Sequence, residues 1–117
     1  MVNLDYPYVK LSNPIQVARD NKFIVNINSL SFQNYEYTAQ IQFNDTERTV
    51  MNFTVTKTDT AEGISLELEL SNTQTALLSD EMIGTFDIMK NDNGKLINVF
   101  AGEIKVVNTI TRLPAEG

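Results

Sequence analysis

The chain has 117 residues, of which 42% are hydrophobic and 21% charged, and a formal net charge of −6 at pH 7. This length fits one domain with a single core, and the composition is ordinary for a soluble globular protein. The sequence contains no Cys and no His, which excludes disulfides, thiolate metal sites and the commonest general base, and the acidic balance argues against a nucleic-acid partner.

The N-terminal stretch, residues 1–13, shows no sustained hydrophobic period and holds Tyr6, Pro7 and Tyr8. Two tyrosines around a proline predict an extended arm. The arm either packs on its own domain or docks on a neighbouring subunit, and both interpretations stay open. The stretch has no basic region followed by an apolar block, so we do not expect a signal peptide.

Short strands are predicted directly after the arm. Asn13-Pro14 marks a turn or a strand start, and Ile15 and Val17 then alternate with polar or small neighbours. Asp20-Asn21 indicates the next turn. The segment Phe23–Ile27 follows with a period of two, which is typical of a strand with one buried face.

Three further segments alternate apolar and polar residues: Glu36–Phe43, Thr49–Lys57 and Ile64–Leu70. Each predicts a single strand with one dry and one wet side. After the third segment, Ser71 and Gln74 have the spacing of a capping box, which predicts one or two helical turns over 72–78 that plug an open end of the fold.

The longest pattern is the stretch Ile83–Val107, where two β-prone runs flank Asn91-Asp92-Asn93-Gly94. Asn-Gly favours the positive φ values of a tight turn, so we expect a long antiparallel hairpin. Gly102 interrupts the second strand of this hairpin. A glycine there indicates a bulge or a close approach of another backbone.

The predicted fold is an all-β, antiparallel β-sandwich or barrel of about seven strands with one short helical turn. We place the domain at residues 14–112, between the arm at 1–13 and a tail at 113–117. The predicted core consists of Tyr37, Ile41, Phe53, Leu66, Leu68, Phe86, Ile88, Phe100 and Ile104.

No pattern of catalytic or cofactor-binding residues emerges, so we expect no enzyme activity, no cofactor and no metal. Glu67 and Glu69 fall on the wet side of their strand, and Asp80-Glu81 and Asp92 fit turns better than a calcium loop. Asp87 should point away from the core, either as an outward polar residue or as a partner of an arginine, Arg19 or Arg112. No apolar run approaches the ~18 residues of a membrane span, so we expect no membrane partner.

Several segments follow one another in an order that is informative as a set. They are Val17–Asn21 followed by Phe23–Ile27, then Tyr37–Gln42, Leu66–Leu78, Phe86–Ile88, and an end with Gly102, Ile104, Val106, Thr111 and Arg112. This order resembles a family of small phage structural domains, the immunoglobulin-like β-sandwich modules of tail, baseplate and fibre-attachment proteins, and is similar to the N-terminal domain of baseplate upper proteins. The chain departs from the family pattern in lacking a Gly between Arg19 and Asp20 and in having Phe86 where Tyr is usual.

The resemblance implies a non-enzymatic virion protein, made in the host cytoplasm, that assembles with other virion proteins and is a homo-oligomer or present in many copies. Its place in the particle stays open among tail, baseplate, fibre adaptor and head decoration. A carbohydrate- or host-surface-binding module is the alternative, and an exposed platform of Tyr6, Tyr35 or Tyr37 would favour it. The candidate interface residues are Tyr6, Tyr8, Tyr35 and Arg112.

Overall fold

The computed structural model describes residues 8–11, 13–79 and 81–107, and the predicted all-β sandwich is confirmed. Within these ranges, the secondary structure consists of nine strands, one 3₁₀ turn and one short helix. No helix among them is long and apolar enough to cross a membrane. The strands are β1 (Tyr8–Lys10), β2 (Ile15–Gln16), β3 (Asn21–Ile27), β4 (Glu36–Phe43), β5 (Val50–Asn52), β6 (Thr54–Asp59), β7 (Ile64–Leu70), β8 (Ile83–Asp92) and β9 (Lys95–Val107). The 3₁₀ turn is Leu30–Phe32, and the helix α1 is Asn72–Thr75.

The strands form two sheets. The larger sheet has the order β1-β9-β8-β4-β5, with β2 also paired to β9, and the smaller has the order β3-β7-β6. The chain therefore visits the smaller sheet with β3, the larger with β4 and β5, the smaller with β6 and β7, and the larger with β8 and β9. This connectivity is that of an immunoglobulin-like sandwich in which β5 is an added strand beside β4.

The first two strands pair parallel to β9, whereas the other pairs are antiparallel. Tyr8 lies opposite Ala101 in this register, and the backbone N–H of Leu11 donates to Glu103 at 2.9 Å. Residues 8–11, which belong to the predicted arm, thus pack on their own domain.

The prediction of one strand over Thr49–Lys57 is wrong. The chain leaves the larger sheet after Asn52 and enters the smaller sheet at Thr54. Phe53 lies at the crossing, is buried, and donates its N–H to the backbone oxygen of Ala39 at 3.0 Å. The alternating pattern runs unbroken through the crossing because both sheets face the same core.

The core lies between the two sheets and contains eight of the nine predicted residues; Phe100 is only partly buried against it. The register of β8 and β9 shifts opposite Ile88 and Met89, and beside this bulge Val99 is buried as well. The inserted residue changes which side chains of β9 face inward.

The predicted hairpin is confirmed. A two-residue turn joins β8 to β9, and both of its residues have positive φ, 54° at Asn93 and 88° at Gly94, as in a type I′ turn. Gly102 faces a close backbone approach: a Cβ there would lie 2.3 Å from the carbonyl oxygen of Val9. The bulge itself lies nearer the turn, at Val99 of β9, opposite Ile88 and Met89 of β8.

The predicted capping box is also confirmed. The Ser71 side chain accepts from the N–H of Gln74 at 3.2 Å, and the Gln74 side chain accepts from the N–H of Ser71 at 2.9 Å. The helix α1 spans four residues, shorter than the predicted 72–78. Thr75 and Leu78 are buried at this end of the sandwich.

Candidate functional site

The outer face of the larger sheet gathers side chains from five strands. The cross-strand register aligns Tyr8, Ala101, Asp87, Gln40 and Asn52 in one row from β1 to β5. Side chains alternate along a strand, and the neighbours of these residues point into the core, so the row points outward. Asp87 occupies the middle strand, at the centre of the face.

Two depressions adjoin at Asp87 and Gln40. One has a volume of about 490 Å³ and extends to Met89 and Leu96, and the other has about 380 Å³ and extends to Tyr8 and Val50. We call the two together the Asp87 trough. Leu96 of β9 lies in the same cross-strand row as Glu36 of β4, and Val50 of β5 lies opposite Gln42 of β4. The trough therefore covers six residue steps of β4, roughly 20 Å.

The Asp87 carboxylate is half-buried in this trough, and its burial raises the pKa of the group above its ordinary value. Among the described residues, no hydrogen bond or ion pair reaches this carboxylate. Its neighbour Gln40 donates instead to the side chain of Asn52, at 2.8 Å. An ionised group that has lost part of its water shell without gaining a partner favours binding of a cation or a hydrogen-bond donor.

Exposed apolar side chains concentrate on the same face. Of the large hydrophobic residues that stay exposed in the described chain, four lie here, at 41% to 55% exposure. They are Tyr8, Val50, Ile83 and Leu96. The other three, Ile24, Leu30 and Leu77, are dispersed over the smaller sheet, the 3₁₀ turn and the segment after α1. Clustered exposed apolar groups around polar ones are typical of an interaction surface.

The structure separates the predicted interface residues. Tyr8 lies in the trough, where burial and the nearby Glu103 carboxylate raise the pKa of its phenol. Tyr35 lies five residues before Gln40, roughly 17 Å away along the strand direction. Tyr6 and Arg112 lie outside the described residues.

Tyr35 has a contact of its own at the far end of the sheet. The Lys90 ammonium lies 4.3 Å from the centre of the Tyr35 ring and 5.6 Å from that of Phe32, which is a stabilising cation–π arrangement. Tyr37 cannot belong to an exposed aromatic platform, because it is buried and its hydroxyl donates to the backbone oxygen of Phe32 at 2.6 Å.

The acidic candidates other than Asp87 lie apart from the trough. Glu67 and Glu69 are on the outer side of β7 in the smaller sheet, and Glu67 forms an ion pair with Lys22 at 3.6 Å. Asp80 is not among the described residues. Within the described ranges, no group of three or more acidic, His or Cys side chains is placed to hold a metal ion.

Arg19-Asp20 and α1, which belong to two segments of the phage resemblance, meet at one end of the sandwich. The Asp20 side chain accepts from the backbone N–H of Asn72 at 2.7 Å, and the backbone of Arg19 bonds to the Thr75 side chain. Arg19 is thus not paired with Asp87. These motif residues connect the turn before β3 to α1, and they do not form a binding site.

The alternating pattern predicts Asp87 on the outer face, but it does not predict the trough around Asp87. One signal was present: the outward residues of β4 after Glu36 are Thr38, Gln40 and Gln42, all uncharged, whereas β7 carries Glu67 and Glu69. An exposed strand face without charge is suited to binding another protein.

In comparisons with known proteins, no family model matches the chain and no curated protein sequence matches it.

Proposed function

We propose that this chain is a non-enzymatic structural protein of a phage particle, a component of the tail or baseplate or a fibre adaptor. It acts by protein–protein assembly and is present in several copies. The observation that carries the proposal is the outer face of the larger sheet, where the exposed side chains of Tyr8, Val50 and Leu96 line the trough around the half-buried Asp87. Ile83 is exposed farther along the same face. Such a face suits a partner surface with apolar groups and one complementary polar group.

The family resemblance supplies the phage context for this proposal. In this chain, residues of its motifs make contacts between distant segments, such as the hydrogen bond from the backbone N–H of Asn72 to the Asp20 side chain at 2.7 Å. A family whose shared residues hold a sandwich together is compatible with many partners and with no common active site.

The test is quantitative mass spectrometry of purified particles from the phage or prophage that encodes the chain. We expect the chain in a fixed ratio to known tail proteins, and immunogold labelling at the tail or baseplate. A phage-encoded replication protein serves as the control for contamination. Absence from purified particles would overturn the proposal, and labelling of the head would reassign the chain to head decoration.

A second function, binding of carbohydrate at a host surface, is favoured by the chemistry of the trough. Asp87, Gln40 and Asn52 offer hydrogen-bond acceptors and donors beside the Tyr8 ring, as sugar hydroxyls and a sugar face require. A glycan array with the intact chain tests it. We expect any binding to be lost in Asp87→Asn and kept in Glu62→Gln, an exposed loop control.

A further inference from the structure

We propose that the Asp87 trough is the docking site for the C-terminal segment, residues 108–117, of a neighbouring copy of this chain, with the guanidinium of Arg112 paired to the Asp87 carboxylate. The inference rests on the multi-copy assembly proposed above and names the contact that joins the copies.

The charge at the centre of the trough favours a cationic side chain as the occupant. Asp87 is a half-buried carboxylate with no hydrogen bond or ion pair from the described residues. Its neighbours in the trough, Gln40, Asn52 and Thr85, are uncharged. One cation placed at the centre therefore offsets the cost of burying this carboxylate. Arg112 is the single basic residue of the segment 108–117.

The spacing of apolar residues around Asp87 matches the spacing around Arg112. Met89 lies two residues after Asp87 on β8. Thr85 lies two residues before Asp87, and the cross-strand row that contains Thr85 also contains Val50 of β5. In an extended segment, side chains on one side repeat every two residues, about 6.8 Å. Ile110 and Pro114 stand two residues on either side of Arg112. The apolar–Arg–apolar order of the segment thus matches the apolar–Asp–apolar order of the trough.

The length of the C-terminal segment favours docking on another copy over docking on the segment's own domain. The described chain ends with β9 at Val107, six residues beyond Ala101, which lies opposite Asp87; this is roughly 20 Å. From Val107 to Arg112 the chain reaches at most about 18 Å. To bring the Arg112 guanidinium to Asp87, the chain's own tail would have to reverse direction within these five residues, and a turn shortens the distance that they span. A tail that arrives from a neighbouring copy is free of this constraint.

The mode of assembly follows from the contact. A tail on one copy and a trough on the next form a head-to-tail interface, which builds rings or filaments as copies are added. A face-to-face dimer centred on the trough would instead bring two Asp87 carboxylates together, and like charges at close range are unfavourable.

The test is sedimentation equilibrium of the full chain across a concentration series. We expect the wild type to associate, and Asp87→Arg and Arg112→Asp each to weaken association about 30-fold or more, as when one partner of a desolvated charge pair is removed. The double variant Asp87→Arg/Arg112→Asp should restore association. Glu62→Arg and Arg48→Asp make the same charge changes at exposed loop positions and should have no effect.

A charge-reversal variant that fails to fold would also lose association. Asp87→Asn, which keeps the shape of the side chain, is therefore measured beside these variants, and thermal melts check that each protein is folded. Three results would overturn the inference: a wild type that is monomeric through the millimolar range, single variants that associate normally, or a double variant that does not recover. Association that survives Arg112→Asp and strengthens in Asp87→Asn would assign the trough to a face-to-face dimer. The particle experiment is independent, so a chain that is present in particles but fails these tests keeps its proposed function.

Discussion

The hydroxyl of Thr75 bonds to both backbone groups of Arg19, although the two residues are 56 positions apart in the chain. It accepts from the Arg19 N–H at 2.9 Å and donates to the Arg19 carbonyl oxygen at 2.6 Å. Thr75 is fully buried, and the adjacent Ala18 has a positive φ of 60°. A single side chain thus ties the turn before β3 to α1 and satisfies backbone groups that the ladder does not reach.

Replacing Thr75 with Val keeps the shape of the side chain and removes the hydroxyl. The N–H of Arg19 then loses its partner, whereas its carbonyl oxygen keeps the hydrogen bond that the Asn21 side chain donates at 2.9 Å. We therefore expect a loss of about 1–3 kcal/mol in the free energy of unfolding. Urea unfolding measures it. Thr73→Val is the matched control in the same helix, where the side chain is exposed, and it should change stability by about 0.5 kcal/mol or less. Equal effects at both positions would mean that the Arg19 contact is not what stabilises this end.

Gly94→Val should destabilise the hairpin through the backbone alone. A Cβ at Gly94 would meet no atom within 4 Å, but φ is 88°, which a β-branched residue resists. We expect a loss of about 1–2 kcal/mol, seen as a lower melting temperature. Gly94→Asn is the control, because Asn tolerates positive φ, and it should lose less. A neutral Gly94→Val would contradict the tight turn.

Tyr37 should make stability fall at high pH. Burial, the neighbouring Tyr35 and the charge of Asp59 raise the pKa of Tyr37 from 10.0 to about 12. The folded state therefore favours the neutral phenol. Its contribution is complete below about pH 10 and is lost as pH rises through about 12.

The measurement is urea unfolding of the wild type and Tyr37→Phe between neutral pH and pH 12. At neutral pH the variant should lose about 1 kcal/mol with its hydrogen bond to Phe32. The difference should shrink above pH 10 because Phe does not ionise. Tyr35→Phe leaves that hydrogen bond in place and removes only the smaller contribution of Tyr35 to the raised pKa of Tyr37, so it should keep most of the alkaline fall. A constant difference across the range would rule out a raised pKa at Tyr37.

Deleting residues 1–11 should leave a folded but less stable domain, and, under the function proposed above, one that is incorporated poorly into particles. The deletion removes β1 and the hydrogen bond from Leu11 to Glu103, and it uncovers β9 at Ala101–Glu103. We expect a loss of about 1–3 kcal/mol, measured by thermal melts, together with reduced incorporation. Lys10→Ala keeps the strand and serves as the control. Unfolding of the deleted chain would make β1 essential to the core, and normal incorporation would place the contact surface elsewhere.

The sequence by itself determined the features that depend on neighbouring residues. The period of two located strands such as β4 and β7, because alternate side chains of a strand face opposite sides. Asn93-Gly94 specified the turn through their tolerance of positive φ, and Ser71 with Gln74 specified the capping box through spacing alone. Each rests on chemistry within a few residues.

Only the tertiary structure decided which strands become neighbours. The change of sheet at Phe53 leaves the alternating pattern intact, so no local signal marks it. The parallel pairing of β1 with β9 joins Tyr8 to Ala101, more than 90 positions apart. The trough exists because five strands align Tyr8, Asp87 and Gln40 in one row, and that register is set by the shared burial of their opposite faces rather than by any one segment.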